Sequence, residues 1–185
     1  MMTRRHFVTS GWLAMASAVL TIPWFFLTLV FAGRGGALFM YAQGGMLIVG
    51  TVLFVYLLIT FRRLLHENCA FHSADSAIAF LVGINIAAAA VGLFELAVPS
   101  MENASELTGI VLIVATGIMQ ILFGVKLLHL SDDLKGLHKP YCYLNIITGF
   151  CLATVVLLPA GILASAVMDV MLGTIFFQSA KQPEK

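Results

Sequence analysis

Charge is what this sequence has least of. Only 10% of its 185 residues are Asp, Glu, Lys or Arg, where an ordinary soluble domain carries roughly 25%. With hydrophobic residues at 61%, a water-soluble globule is excluded, and so is disorder, which needs the opposite composition. Basic residues are not in surplus either. Ten Lys and Arg stand against nine Asp and Glu for a formal charge of +1, so no excess is available to neutralise a nucleic-acid backbone. Cysteine is scarce, and Cys69, Cys142 and Cys151 are odd in number and form no CxxC pair, so no disulfide framework is implied. The sequence also lacks GxSxG, HExxH and P-loop signatures. The H-x-x-D tetrapeptide His72 to Asp75 lacks the nucleophile or metal partner that catalysis requires.

What the chain has instead is long apolar runs, the signature of an all-α, polytopic integral membrane bundle without a soluble domain. A helix rises about 1.5 Å per residue and the hydrocarbon core is about 30 Å thick, so a span needs about 20 apolar residues. Six transmembrane helices are predicted within one domain, 1–185: approximately 11–32, 37–61, 76–98, 107–129, 142–158 and 160–177. Boundaries fall at Gly33-Arg34-Gly35-Gly36, at Arg62-Arg63, behind the N-cap candidates Ser73 and Asp75, at Pro99, and around the polar segment from Ser131 to Pro140. The apolar stretch after Tyr141 is too long for one span and is divided at Pro159-Ala160-Gly161. Five spans with a kinked long last helix are the alternative, because proline inside a membrane helix can merely bend it.

The basic residues favour six. With a cytoplasmic N-terminus, six spans place Arg4, Arg5, Arg62, Arg63, Lys126, Lys135, Lys139, Lys181 and Lys185 inside and leave only Arg34 outside, as the positive-inside rule requires. A plasma (inner) membrane protein with both termini cytoplasmic is therefore expected. Thr3-Arg4-Arg5-His6-Phe7 resembles a twin-arginine signal, but the apolar run from Ala14 through Phe31 is too long for a removable h-region and fits an uncleaved anchor. Trp12, Trp24, Tyr41, Tyr141 and Tyr143 fall near span ends, as headgroup anchors do.

A parallel hairpin repeat is also suggested. Arg63-Leu64-Leu65-His66 and Lys126-Leu127-Leu128-His129 end the second and fourth spans, 63 residues apart. Each precedes a polar loop and a helix closing on proline, at Pro99 and at Pro159, a form of symmetry known in membrane transporters.

Asp169 is the sharpest candidate, a carboxylate near the middle of the last span, where such a group costs about 2.5–3.5 kcal/mol and reads either as a protonatable or cation-binding position or as a hydrogen-bonded Asp that fixes helix packing. Gly161, Ser165, Asp169 and Gly173 recur every four residues, a helix-packing ridge that admits a close neighbour. Gln120, at similar depth, is the expected centre of a polar seam with Asp169. Asn85 and Asn145 lie toward the cytoplasmic half and Glu95 toward the outer leaflet. Interhelical hydrogen bonding, worth about 0.6 kcal/mol each, is the plainer account of the three amides.

All five histidines fall on the predicted cytoplasmic side. His66 and His129 offer an axial pair for haem, and Cys69 and His72 with His138 and Cys142 offer two sulfurs and two nitrogens for zinc. Neither pattern has a specific spacing, and helix-terminal imidazoles also suit the helix dipole without any metal. The reading that follows is a small membrane protein acting through helix packing or oligomerisation. It would be a channel, a transporter or a subunit of a membrane complex, with lipid and homo-oligomeric or membrane-protein partners and no nucleic acid. A membrane redox protein binding haem is the alternative, and a membrane enzyme the second.

Overall fold

The computed structural model describes residues 4–31, 37–98, 102–130 and 136–181. The expected turn around Arg34, the residues from Pro99 to Met101, the loop holding Lys135, and Lys185 lie outside them, as do the side chains of Trp24, Glu102 and Asn103. The described residues form six helices and no strand: α1 Arg4–Phe31, α2 Ala37–Cys69, α3 Asp75–Ala97, α4 Glu102–Leu128, α5 His138–Ala153 and α6 Leu158–Ala180. Four of them contain stretches long and apolar enough to cross a membrane: Met40–Glu67, Asp75–Ala97, Ser105–Leu128 and Leu158–Ala180. In such sequence a helix satisfies its own backbone polar groups, which lipid cannot do.

Four sequence expectations are corrected in detail. Helix α2 does not stop at Arg62-Arg63 but continues to Cys69, because Leu64 and Leu65 are buried in the core and packing holds the helix together beyond the apolar layer. The α5–α6 break lies at 154–157, ahead of the proline and not at Pro159-Ala160-Gly161; Pro159 sits in the first turn of α6. A proline there forfeits no intrahelical bond. At α3 the N-cap is Ala74, with no side-chain cap bond, so neither Ser73 nor Asp75 caps, and Asp75 stands in the first turn where the helix dipole favours a carboxylate. The second copy of the suggested repeat also loses its proline ending, since Pro159 opens a helix instead of closing one.

Neighbouring helices run antiparallel and close into a ring. α1 packs on α2, α2 on α3, α3 on α4, α4 on α5, α5 on α6, and α6 returns to α1, with no backbone contact across the ring among the described residues. The closest approaches are α4 on α5 and α1 on α6, and glycine makes both. A Cβ on Gly117 would stand 2.5 Å from the backbone of Gly149 and of Ala153, and one on Gly173 3.0 Å from the Gly11 carbonyl. Backbones come this near only where a side chain is missing.

The core fills one end of this ring. Phe61 of α2 is fully buried, and its ring lies 5.5 Å from Tyr141 of α5, 6.2 Å from Phe123 of α4 and 6.5 Å from Phe176 of α6. One aromatic side chain thus joins helices whose backbones do not touch. Ile78, Leu64, Leu127 and Leu172 complete this floor. It lies toward the end of the ring that carries the first residues of α1 and the last of α6, since Gly11 packs against Phe177.

Candidate functional site

Above the floor the inward faces turn polar. Ser17, Asn85, Gln120, Thr148 and Asp169 each stand seven residues from a buried floor or core residue of their own helix, namely Ser10, Ile78, Leu127, Tyr141 and Phe176. Seven residues return a helix to within about 20° of the same direction and carry it about 10 Å along its axis. Five of the six helices therefore contribute a polar side chain to one tier, one or two turns beyond the aromatic floor. On α2 the equivalent position is Phe54, packed against the core.

Two contacts tie the tier together. The Ser17 hydroxyl donates to Asp169 Oδ2 at 2.7 Å, joining α1 to α6. Gln120 Nε2 donates to the sulfur of Met168 at 3.4 Å, joining α4 to α6 one residue from the carboxylate. The expected pair of Gln120 and Asp169 thus reaches adjacent positions of α6, each with its own partner. Asn85 Oδ1 and Thr148 Oγ1 are buried with no hydrogen-bond partner. The hydroxyls of Thr21, Thr51, Thr116 and Thr174 instead each donate to the carbonyl one turn earlier, the usual refuge of a hydroxyl in an apolar helix. An unpaired buried acceptor costs on the order of 1–3 kcal/mol, so these two polar atoms are held in the tier at a cost.

The other candidates are distributed elsewhere. Asn145 is buried but donates to the Tyr141 carbonyl of its own helix at 2.9 Å, beside Gly124 of α4. Glu95 is exposed on α3. The ridge divides between two neighbours: Gly161 packs on Cys151 and Leu152 of α5, Gly173 on Gly11 and Met15 of α1, and the Ser165 hydroxyl donates to the Ile162 carbonyl.

The histidines are each engaged differently. His129 Nδ1 donates to the Val125 carbonyl at 2.9 Å, closing the end of its own helix, and buried His138 donates from Nε2 to the Leu127 carbonyl at 2.7 Å, tying α5 to α4. Cys142 is buried and Cys69 partly so, neither in a disulfide. Among the described residues the one group of His, Cys, Asp and Glu placed to share an ion is His66, His72 and Asp75. The expected set of Cys69, His72, His138 and Cys142 is not gathered.

At that group His66 Nε2 donates to Asp75 Oδ1 at 2.6 Å, and His72 Nδ1 lies 3.7 Å from Oδ2. Arg62 grips the same carboxylate from Nε and Nη2, at 3.0 and 3.2 Å. Lys126 Nζ, on α4, donates to the neighbouring Ser76 hydroxyl at 2.8 Å. The sequence pointed to His66 and His72 separately, and it offered Asp75 as a cap and as the end of an H-x-x-D tetrapeptide set aside for want of a partner. The ten-residue spacing from His66 to Ser76 carried no hint of the turn that folds His72 back. Ser17 and Thr148 were also missed, although the seven-residue steps from Ser10 and from Tyr141 were legible. Comparison with known protein families, with curated proteins and with solved structures finds no match for this chain.

Proposed function

We propose that this chain is a six-span membrane protein of the plasma (inner) membrane with both termini cytoplasmic. Its work, on this reading, is proton- or cation-linked transport, as a channel or transporter by itself, as a homo-oligomer, or as a subunit of a larger membrane complex. The observation that carries the reading is the Asp169 carboxylate, set in an apolar helix and facing Ser17 in a tier of inward polar side chains. A carboxylate in this setting can take up and release a proton or a cation, and Gln120, Asn85 and Thr148 supply further oxygens at similar depth.

The surroundings support it. Large apolar side chains such as Val19, Phe80 and Ile147 are exposed on the outside of the ring, as lipid contact requires. The antiparallel pairing of α1 and α6 fits an even number of crossings. In a bilayer the aromatic floor would bar the path on the side of the termini, with the polar tier behind it.

The test is Asp169→Asn, which keeps shape and removes the titratable charge. In reconstituted vesicles carrying an internal pH or cation indicator, the substitution is expected to abolish ion-linked flux while the thermal melt and oligomeric state stay as in the parent. Full flux in the variant, or loss of assembly alone, would make the carboxylate structural and overturn the reading. Labelling of a cysteine placed at the C-terminus in right-side-out vesicles checks the topology; external labelling sinks the arrangement with both termini cytoplasmic.

A further inference from the structure

We propose that His66, His72 and Asp75 form a binding site for a divalent transition metal of the zinc class, clamping the end of α2 to the start of α3. The proposal rests on the geometry of the α2–α3 turn and is independent of Asp169. The ligand atoms of the three residues all lie within 4.8 Å of one another, and the two imidazole rings are 4.1 Å apart between centroids. Two imidazole nitrogens and a carboxylate oxygen are the donor set that zinc, cobalt and nickel favour, and three protein ligands leave a position open for water.

The local backbone is built to make this cluster. Helix α2 overruns its apolar layer by two turns, which carries His66 to the level of Asp75. The chain then reverses at Ala70, whose φ of 49° is one an L-residue adopts at a cost. The Phe71 amide reaches back to the Leu65 carbonyl at 3.2 Å, and the Asp75 amide bonds the His72 carbonyl at 3.1 Å. Buried Ala74, between them, anchors the turn on the core. The result lays the His72 ring against His66, six residues earlier, and points both at one carboxylate.

Arg62 is not an obstacle to metal. Ligating carboxylates are themselves held by hydrogen bonds from a surrounding shell, and Arg62, one helical turn before His66 on α2, holds both oxygens of Asp75. The His66 to Asp75 separation of 2.6 Å is shorter than the roughly 3.3 Å between two ligands of a tetrahedral zinc. Rotation of exposed His72 and half-exposed His66 about their side-chain bonds supplies the difference. The ion binds the neutral ring at Nε2 with the single ring proton on Nδ1, so ion and protons compete for the same nitrogen. Binding is therefore proton-linked.

The experiment titrates Zn2+ into full-length protein, freed of any histidine tag and held in detergent micelles at about pH 7.5, where imidazole is available as a ligand. Binding is followed by calorimetry, and Co2+ is used as a visible-absorbing stand-in. One ion per chain is expected. His72→Ala should weaken binding by about 30-fold or more and Asp75→Asn by about 10-fold or more, on the scale of lost ligands and their supports. Binding should also weaken on lowering the pH to about 5.5, because protons compete for the same nitrogens. His72 is exposed, so His72→Ala leaves the fold intact, and an unchanged thermal melt verifies that. Cys69→Ser should bind as the parent does. The proposal is overturned by the absence of saturable binding, by equal affinity in His72→Ala, or by loss of binding in Cys69→Ser with His72→Ala unaffected.

Discussion

Adding one methyl group at Gly117 should push α4 and α5 apart. The Cβ of Gly117→Ala would stand 2.5 Å from both the Ala153 nitrogen and the Gly149 carbonyl oxygen, and 3.0 Å from the Ala153 Cα. Ordinary carbon contacts begin near 3.4 Å, so the shortfall is about 0.9 Å at a van der Waals surface that is steep in this range. Every atom met is backbone, so no rotamer change relieves the clash and the helices must separate or slide. Overpacking of a tight core costs typically 1–3 kcal/mol, and a rigid contact belongs at the upper half of that range. Taking about 2 kcal/mol and about 2–4 °C per kcal/mol for a chain of this size gives a fall of about 4–8 °C in Tm.

Thermal unfolding in detergent, followed by helix content, measures this. Gly83→Ala is the internal control, since a Cβ there meets nothing within 4 Å and alanine is the better helix former; its melt should be unchanged or slightly higher. Gly149→Ala meets the Gly117 carbonyl at 2.6 Å, so it strains the same interface from the other side. The double variant should lose less than the two single losses added, because helices already parted accommodate the second methyl. Equal melting of Gly117→Ala and Gly83→Ala would refute the backbone-to-backbone packing of α4 on α5.

Further expectations concern the α5–α6 turn and the floor. Val155 holds φ at 57°, a genuine outlier for a β-branched residue, and Val155→Gly should raise stability by about 1 kcal/mol, read as a higher Tm; a lower one would mean that the valine side chain contributes more packing than its backbone costs. Phe61→Ala removes the ring that joins α2 to Phe123, Tyr141 and Phe176 and should cost about 3–5 kcal/mol if the floor packs as a soluble core does. The more conservative Phe61→Leu should keep the fold while raising passive ion leak in vesicles. Leak equal to the parent's would show that Phe61 is not a barrier. Ser17→Ala removes the donor to Asp169 and should reduce ion-linked flux severalfold without changing the oligomeric state; unchanged flux would make that hydrogen bond incidental to the function proposed.

Much of the fold was legible because lipid-compatible helices are specified locally. The apolar runs found all six helices, and the starts of α2 and α3 fell within one residue of their observed positions. Ends controlled by packing were not legible. α2 outran Arg62-Arg63 because Leu64 and Leu65 bury against residues distant in sequence. The α5–α6 break moved ahead of Pro159 because a proline is better placed at a helix start than at its end. The candidate site was legible only in part for the same reason. Asp169 stands out in any apolar run, whereas Ser17 and Thr148 look like ordinary small residues until the ring sets their faces inward.

The sequence by itself determined that this chain is apolar and helical, and it singled out Asp169, because composition and periodicity act residue by residue. The tertiary structure alone decided that the six helices close into a ring, that Phe61 lies at its axis, and that Asp169 is answered by Ser17 from the far end of the chain. It alone brought His72 back onto His66 and Asp75. Those outcomes depend on which faces meet at which depth, a property of pairs of helices that no single segment encodes.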